Sequence, residues 1–387
     1  MASNRLVSNN NLRLCVAHAA LASFCFLSSV GCSTQPDEEC LLSLNGSPDS
    51  ELIILSYDDN GRLAPADTIL PADTIHTLRH ELKDRLLAIQ INEKPLFFIA
   101  EKGSVRIDCK HLTVKGTPLN EAKLAFEASI NQMRSAASES FDSIASNSSL
   151  SVDDRKAELA QLSKRETRKL VAYAMDVVKN NGGNALAQYA FLFGVAKNRL
   201  VRVEEYAKLV ASTSPNVSNF PPIRQISVAN SNALATSPGS DFRDVDMLSA
   251  DASNVKLSDY VQRDAVNVIH VFDPYNQATP KTLALLWKIR KDIEAHHEKN
   301  GGDINSTPKL NVISVCEYSK EDIVNKIVKR FALDWIMLAD PEAHFTELYG
   351  LQTMPFFIVV DEEGKIEERG VGEDALYNWV YTRIVVK

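Results

Sequence analysis

The chain has 387 residues, a formal net charge of −8, 45% apolar residues and 24% charged residues. At roughly 150 residues per domain this length suggests two or three domains, and the composition suits a chain that builds cores rather than a disordered one. The acidic balance, with no basic stripe interleaved with aromatics, excludes a general nucleic-acid binder, whose affinity comes mainly from neutralising phosphates.

Arg5 and Arg13 precede an apolar run, Val16 to Leu27, that is too short to span a bilayer comfortably and ends in small residues from Ser28 to Gly31. That layout predicts an export signal over residues 1–31. Gly31-Cys32 resembles a bacterial lipobox, although Ser29 stands where leucine is usual. The resemblance implies lipidation of Cys32 and attachment to a membrane surface through an acyl anchor; a plain cleaved signal is the alternative. Residues 32–39 then read as a polar, acidic tether. Cys15 and Cys25 leave with the signal, so Cys40, Cys109 and Cys316 remain beside Cys32. An exported compartment permits disulfides. Cys40 and Cys109 lie in strand-like runs of one region and either pair or stay as two separate half-buried thiols; sequence does not decide connectivity.

Residues 40–118 predict a small antiparallel β-sandwich. Leu41–Leu44, Glu51–Leu55, Leu86–Ile91 and Pro95–Ala100 are short apolar runs bounded by turn residues, and Ser104–Cys109 and Leu112–Lys115 alternate with period two. Pro65-Ala-Asp-Thr-Ile recurs once at Pro71, which is too few units for a repeat architecture.

Residues 119–229 read as a helical segment. Asn120 is the predicted N-cap of a helix running to about Ile144. A second helical stretch runs from Ser151 to Asn180 and is closed by Gly182-Gly-Asn; a third covers Asn184 to Lys197 and a fourth Arg202 to Ala211. Pro215, Pro221 and Pro222 mark the expected end of this block, and residues 230–240, rich in Ser, Asn, Pro and Gly, read as a linker.

From residue 241 to 387 strand and helix alternate. Asn267–Phe272 and Leu310–Val315 read as strands, Pro280–His296 as a helix, and Ser319-Lys-Glu-Asp as a capping signal. Asp340 and Pro341 predict another helix start. Met354–Asp361 is a strand, Asp361–Lys365 a hairpin turn, Ile366–Arg369 its partner and Glu373–Arg383 a final helix. The pattern predicts an α/β fold with a mixed sheet covered on both faces.

Several of these segments line up with one family. Gly239-Ser-Asp-Phe, Val255 to Tyr260, Trp335 to Pro341, Tyr349 to Pro355 and Ile358 to Ile366 resemble, in order, the exported thioredoxin-like proteins of the TlpA/ResA type, which overlap with AhpC/TSA proteins. The resemblance implies a thioredoxin-like fold over nearly all of residues 241–387. Gly116-Thr-Pro-Leu-Asn120 resembles the segment that ends small β domains in envelope lipoproteins of Bacteroidetes-type bacteria.

The family's redox motif is Cys-Gly-Pro-Cys. Aligning Phe272 with the family phenylalanine puts Gln277 and Pro280 at the two cysteine positions, and no cysteine lies between Cys109 and Cys316. Thiol–disulfide exchange needs a thiolate, and a peroxidatic site needs a low-pKa cysteine. An amide and a pyrrolidine supply neither. Cys316 follows the second core strand, at the end of the sheet where such folds place their sites, but Glu317 and Glu321 beside it raise a thiol pKa. Met354-Pro355 resembles the cis-proline loop, whose backbone in the family pairs with an extended peptide. Tyr275, Asn276, Met354 and Pro355 are therefore the candidate groove, with the alternative that Pro355 only shapes the fold. His270, His296, His297 and His344 show no metal-ligand spacing, and no nucleotide- or hydrolase-type motif is present, so no cofactor or metal is implied. The expectation is a redox-inactive thioredoxin-like envelope lipoprotein with a peptide, protein or ligand partner. The alternative is a thiol-disulfide oxidoreductase acting through Cys316 or a partner's thiols, and a purely structural envelope component is a third reading.

Overall fold

The computed structural model describes residues 39–46, 50–71, 73–198, 200–300 and 309–386. The expectations for the signal, for Cys32 and for most of the tether lie outside the described residues. Among the described residues no helix is long and apolar enough to cross a membrane.

The amino-terminal part is built from β1 (Cys40–Asn45), β2 (Leu52–Tyr57), β3 (Leu63–Ile69), β4 (Ile75–Thr77), β5 (Leu86–Ile91), β6 (Lys94–Ile99), β7 (Gly103–Asp108) and β8 (Thr113–Lys115). They form two four-stranded sheets, in the orders β4-β1-β7-β8 and β3-β2-β5-β6. Leu42, Val105 and Ile107 of one sheet share a core with Ile54, Ile89 and Phe98 of the other. The sandwich is not wholly antiparallel as expected, because β1 and β7 run parallel.

That parallel pair also decides the cysteines. Cys40 stands beside Gly103, whereas Cys109 follows the far end of β7 and its N–H donates to the Asn45 carbonyl (2.9 Å). Six residues at about 3.3 Å each put the thiols about 20 Å apart along the strands, far beyond the reach of a disulfide. Cys40 and Cys109 are separate, buried, free thiols.

β5 explains why the run at Leu86 lacks alternation. One of its faces joins the sandwich core, and Leu86 on the other packs under helices. A strand covered on both faces reads as continuously apolar. Those helices are α1 (Pro118–Ala145), α2 (Val152–Asn180), α3 (Ala185–Phe191, continued by a π turn to Ala196), α4 (Val203–Ala211), α5 (Pro215–Ser218) and α6 (Pro221–Ala235). Ser151 and Asn184 cap α2 and α3, each accepting from backbone N–H groups of the first turn.

Asn120 does not cap α1; Thr117 holds that position. Asn120 lies fully buried inside the helix, where its Nδ2 donates to the Ile99 carbonyl (2.7 Å) and its Oδ1 accepts from Ile99 N–H (2.9 Å). It ties α1 to the edge of β6. Gly116, at φ +104°, brings the chain so close that a Cβ there would lie 2.5 Å from the Ser104 carbonyl oxygen. The Gly-Thr-x-x-Asn segment is thus a sheet-to-helix joint. Pro215 and Pro221 open α5 and α6 rather than closing the block, since proline suits the first helical turn. The expected linker at 230–240 begins inside α6, with Asn230 buried.

The carboxyl-terminal part contains β9 (Asp246–Leu248), β10 (Asn254–Lys256), β11 (Ala265–Phe272), α7 (Thr279–Asn300), β12 (Lys309–Glu317), α8 (Glu321–Phe331), β13 (Ile336–Asp340), α9 (His344–Tyr349), β14 (Phe356–Val360), β15 (Ile366–Arg369) and α10 (Glu373–Tyr381, continued by a π turn to Val386). The sheet order is β10-β9-β13-β12-β11-β14-β15. β11, β12 and β13 run parallel, and β14 and β15 antiparallel beside them. Side chains of α7, α8 and α10 pack on one face and those of α9 on the other. This is a thioredoxin-like fold, as the resemblance implied. Two local expectations change. Lys320, not Ser319, holds the N-cap position of α8. Asp340 ends β13 instead of starting a helix, although its Oδ2 still accepts from Phe345 N–H (2.8 Å) in the first turn of α9.

α6 lies against α9. Gly350, at φ +61°, ends α9 so close to α6 that an added Cβ would lie 1.9 Å from the Ala229 carbonyl oxygen. Arg369 of β15 donates to the Ala233 carbonyl (2.6 Å), the Thr236 hydroxyl (2.6 Å) and the Tyr349 carbonyl (2.8 Å). One guanidinium therefore satisfies carbonyls at the ends of both helices, where the helix leaves them unpaired.

Candidate functional site

The chain leaves β11 at Phe272 and turns through residues 273–278 into α7. The turn is closed by its own polar groups. Asp273 Oδ1 accepts from Tyr275 N–H (2.8 Å), Asn276 Oδ1 from Ala278 N–H (2.9 Å), and the Thr279 hydroxyl donates to the Asp273 carbonyl (2.7 Å). Gln277 is exposed in this turn, and Pro280 is the second residue of α7. Both occupy the mouth of a helix that in a redox site stabilises a thiolate. Neither carries a group that ionises or attacks sulfur.

The Met354–Pro355 peptide bond is cis. Asn276 Nδ2 donates to the Met354 carbonyl (3.0 Å), so two of the predicted groove residues are bonded to each other. Tyr275 projects into solvent, 79% exposed. The groove beside them is a cavity of about 710 Å³ between the first turn of α7, the Pro355 loop and the start of α10. Of the four predicted groove residues only Pro355 lines it; Thr282, Thr353, Phe357, Gly370 and Gly372 are among the other walls. A Lys281–Glu373 ion pair (2.6 Å) links α7 to α10 beside it. The segment from Gly370 to Ala375 was not legible as a wall, because loop residues after a hairpin carry no chemical signature of their own.

Cys316 lies in β12 opposite Phe272, with no exposed surface, among Leu283, Val324 and Met337. Burial pushes its thiol up to about 12, and the charges of Asp273 and Glu317 act in the same direction. The expected effect of Glu317 has the right sign, but burial is the larger cause.

Glu317 itself is completely buried. Burial raises it to about 7, aided by the charge of Asp340, while hydrogen bonds from Thr346 N–H (2.9 Å) and the Thr346 hydroxyl (2.5 Å) oppose the shift. The sequence signal was a single acid ending the apolar run Leu310–Cys316. His270 is also buried, stacked between the rings of Phe272 and Phe357 (centroids 5.0 Å to each), and burial holds it down at about 3. Its Nδ1 meets the Ser314 hydroxyl (3.3 Å), which also accepts from Trp335 Nε1 (3.0 Å). Among the described residues no group of three His, Cys, Asp or Glu side chains is placed to hold a metal ion.

Residues 305–376 match the Redoxin family. This stretch runs from the segment before β12 into α10 and includes Cys316, the Pro355 loop and the β14–β15 hairpin. No curated protein matches the chain. Among solved structures, the chain is similar to the thioredoxin domain of a thiol-disulfide oxidoreductase from Bacteroides vulgatus, at 17% identity, covering 38% of this chain and 98% of that one, with a TM-score of 0.32. It is similar to a thiol:disulfide interchange protein from Bacteroides sp. at 18% identity, covering 39% and 91%, with a TM-score of 0.32. A thioredoxin-like protein from Bacteroides caccae is 15% identical and covers 61% of this chain and 87% of its own length, with a TM-score of 0.38. The Redoxin match lies within the thioredoxin-like fold of the carboxyl-terminal part.

Proposed function

We propose that the protein is a redox-inactive, thioredoxin-like binding protein of the cell envelope, exported by residues 1–31 and anchored through Cys32, that takes an extended peptide or partner protein in the groove beside Pro355. One observation carries the reading: the turn into α7 has no thiol, with Gln277 and Pro280 at the two cysteine positions, while the cavity between that turn, the Pro355 loop and α10 is kept. The envelope location rests on the sequence pattern of residues 1–39 alone. The net charge of −8 argues against nucleic acid as the partner.

The second reading is a thiol-disulfide oxidoreductase working through Cys316 or a partner's thiols, and the Redoxin match over residues 305–376 favours it. Burial of Cys316 and a thiol pushed up to about 12 weigh against it, since the thiolate is the reactive species. Insulin reduction by the intact chain separates the two. The binding reading expects turnover no faster than the dithiothreitol background, unchanged by Cys316→Ser. Turnover that is abolished by Cys316→Ser would replace it with the oxidoreductase.

A further inference from the structure

The outer half of the α1–α2 hairpin carries no further layer. The two helices are 28 and 29 residues long, about 40 Å each. The buried residues of α1 end at Ile130, and those of α2 begin at Leu162. The part between is nevertheless amphipathic. Met133, Ala137, Phe141 and Ile144 recur at helical spacing on α1 and are only half-buried, as is Leu159 on α2. A pair of helices covers one seam, and a stripe left half-open in this way is completed by another layer.

The two ends of this hairpin differ in charge. At its base a cavity of about 330 Å³ lies between α1, α2 and the turn at Leu200. Met133, Phe141, Leu170 and Leu200, the last 62% exposed, give it apolar walls, and Arg134 and Lys197 stand among them. Lys197 rests over the Phe193 ring (4.5 Å), but among the described residues neither cation meets a carboxylate. The acid in the wall, Glu166, is already held by Arg165 (3.0 Å) and Lys169 (2.9 Å). The tip is the reverse. Glu139, Asp142, Asp153 and Glu158 meet no cation among the described residues, and Val152, at the start of α2, is 64% exposed. An element with an acidic, apolar tip and a basic, apolar hollow complements itself when turned end over end. A two-fold axis across the hairpin places each tip at the other's hollow. The overlap from Val152 to Leu170 is about 27 Å of helix, and two helices are about 20 Å wide. Roughly 1,100 Å² in total is then covered, enough for a specific but modest interface.

We propose that the outer half of the α1–α2 hairpin docks a second copy of this chain, the two hairpins packing antiparallel with Val152 of each seated between Arg134 and Lys197 of the other. The charge pattern selects this occupant, because one hairpin carries both halves of the match. The inference goes beyond the groove reading and does not depend on it.

Sedimentation equilibrium of the intact chain tests it. The expected result is a dimer at tens of micromolar that weakens as salt rises. Asp142→Lys with Asp153→Lys reverses the tip, and Arg134→Glu with Lys197→Glu reverses the rim of the hollow. All four side chains are exposed, so neither pair disturbs the core. Each reversed protein alone should dimerise about thirtyfold or more weakly, since four exposed ion pairs per dimer are each worth a factor of about two or three. Mixing equal amounts of the two should restore the dimer, because each tip then meets a hollow of opposite charge. A folding defect is not repaired by mixing. A chain that stays monomeric at hundreds of micromolar overturns the proposal and leaves the hollow to a different occupant. A dimer indifferent to both reversals overturns the hairpin as its interface. Loss of the dimer in both variants without restoration in the mixture overturns the tip-to-hollow pairing.

Discussion

Asn276 and Met354 are joined by a hydrogen bond of 3.0 Å from the carboxamide of one to the carbonyl of the other. The same carboxamide accepts from Ala278 N–H at the entrance to α7 (2.9 Å). One side chain therefore closes the turn before α7 and holds the Pro355 loop against it. The Met354 carbonyl is engaged from within, and among the described residues nothing accepts from its N–H. A peptide pairing with this stretch of backbone would meet an unshared N–H and a carbonyl with one lone pair left.

Replacing Asn276 tests that double role. Asn276→Ala should lower stability by about 1–2 kcal/mol, the sum expected for two lost hydrogen bonds. Asn276→Asp keeps the turn-closing oxygen and loses only the donor, so it should cost about half as much. Urea midpoints of the three proteins check this, and equal midpoints would show that the bond contributes nothing.

Glu317 predicts a pH dependence. Its folded-state value, about 7, lies above the usual carboxylate range. Between about pH 4.5 and 7 the native state therefore holds a proton that the unfolded chain releases, so stability falls as pH rises through this window. The loss reaches the order of 2–3 kcal/mol by pH 8. Glu317→Gln keeps an acceptor for Thr346 and removes the titration. Its urea midpoint should exceed that of the natural protein at pH 8 and not at pH 4.5. A variant that shifts equally at both pH values would contradict the assignment.

The contact of Gly350 with α6 tolerates no side chain. A Cβ would sit 1.9 Å from the Ala229 oxygen at a backbone φ of +61°, and Gly350→Ala should destabilise by about 3 kcal/mol or more through overpacking and strain. Gly364, also at positive φ (+84°) with nothing within 4 Å of its would-be Cβ, isolates the backbone component: Gly364→Ala should cost about 1 kcal/mol. Thermal unfolding of both variants measures the difference, and similar losses would mean that the helix contact is unimportant.

Much of the fold was legible because local chemistry and packing agree. Ser151 and Asn184 were readable as helix starts, since their short polar side chains suit a cap more than a helix interior, and the structure uses them so. The strand at Asn267, the helix after it and the hairpin at Asp361 follow from periodicity and turn residues. Asn230–Ser240 was misread for a definite reason. Asn and Ser have weak helix propensity, and nothing local announces that α9 covers this stretch and that Arg369, more than a hundred residues later, bonds its last carbonyls. Asn120 was misread in the same way. Its sequence position suits a cap, but its partner is Ile99 on a neighbouring strand.

The candidate site divides along the same line. Pro355 and the empty cysteine positions could be read directly, whereas the walls from Gly370 to Ala375 join the site only through folding.

What the sequence by itself determined is covalent: residues 277 and 280 are Gln and Pro, and no folding can put sulfur there. The tertiary structure decided what depends on distance and dielectric. It placed Cys40 and Cys109 at opposite ends of parallel neighbours, buried Cys316 until its thiol resists ionisation, and closed α6 against α9. The division is physical. Side-chain chemistry travels with the residue, but reactivity and pairing depend on what packing brings near and how much water it removes.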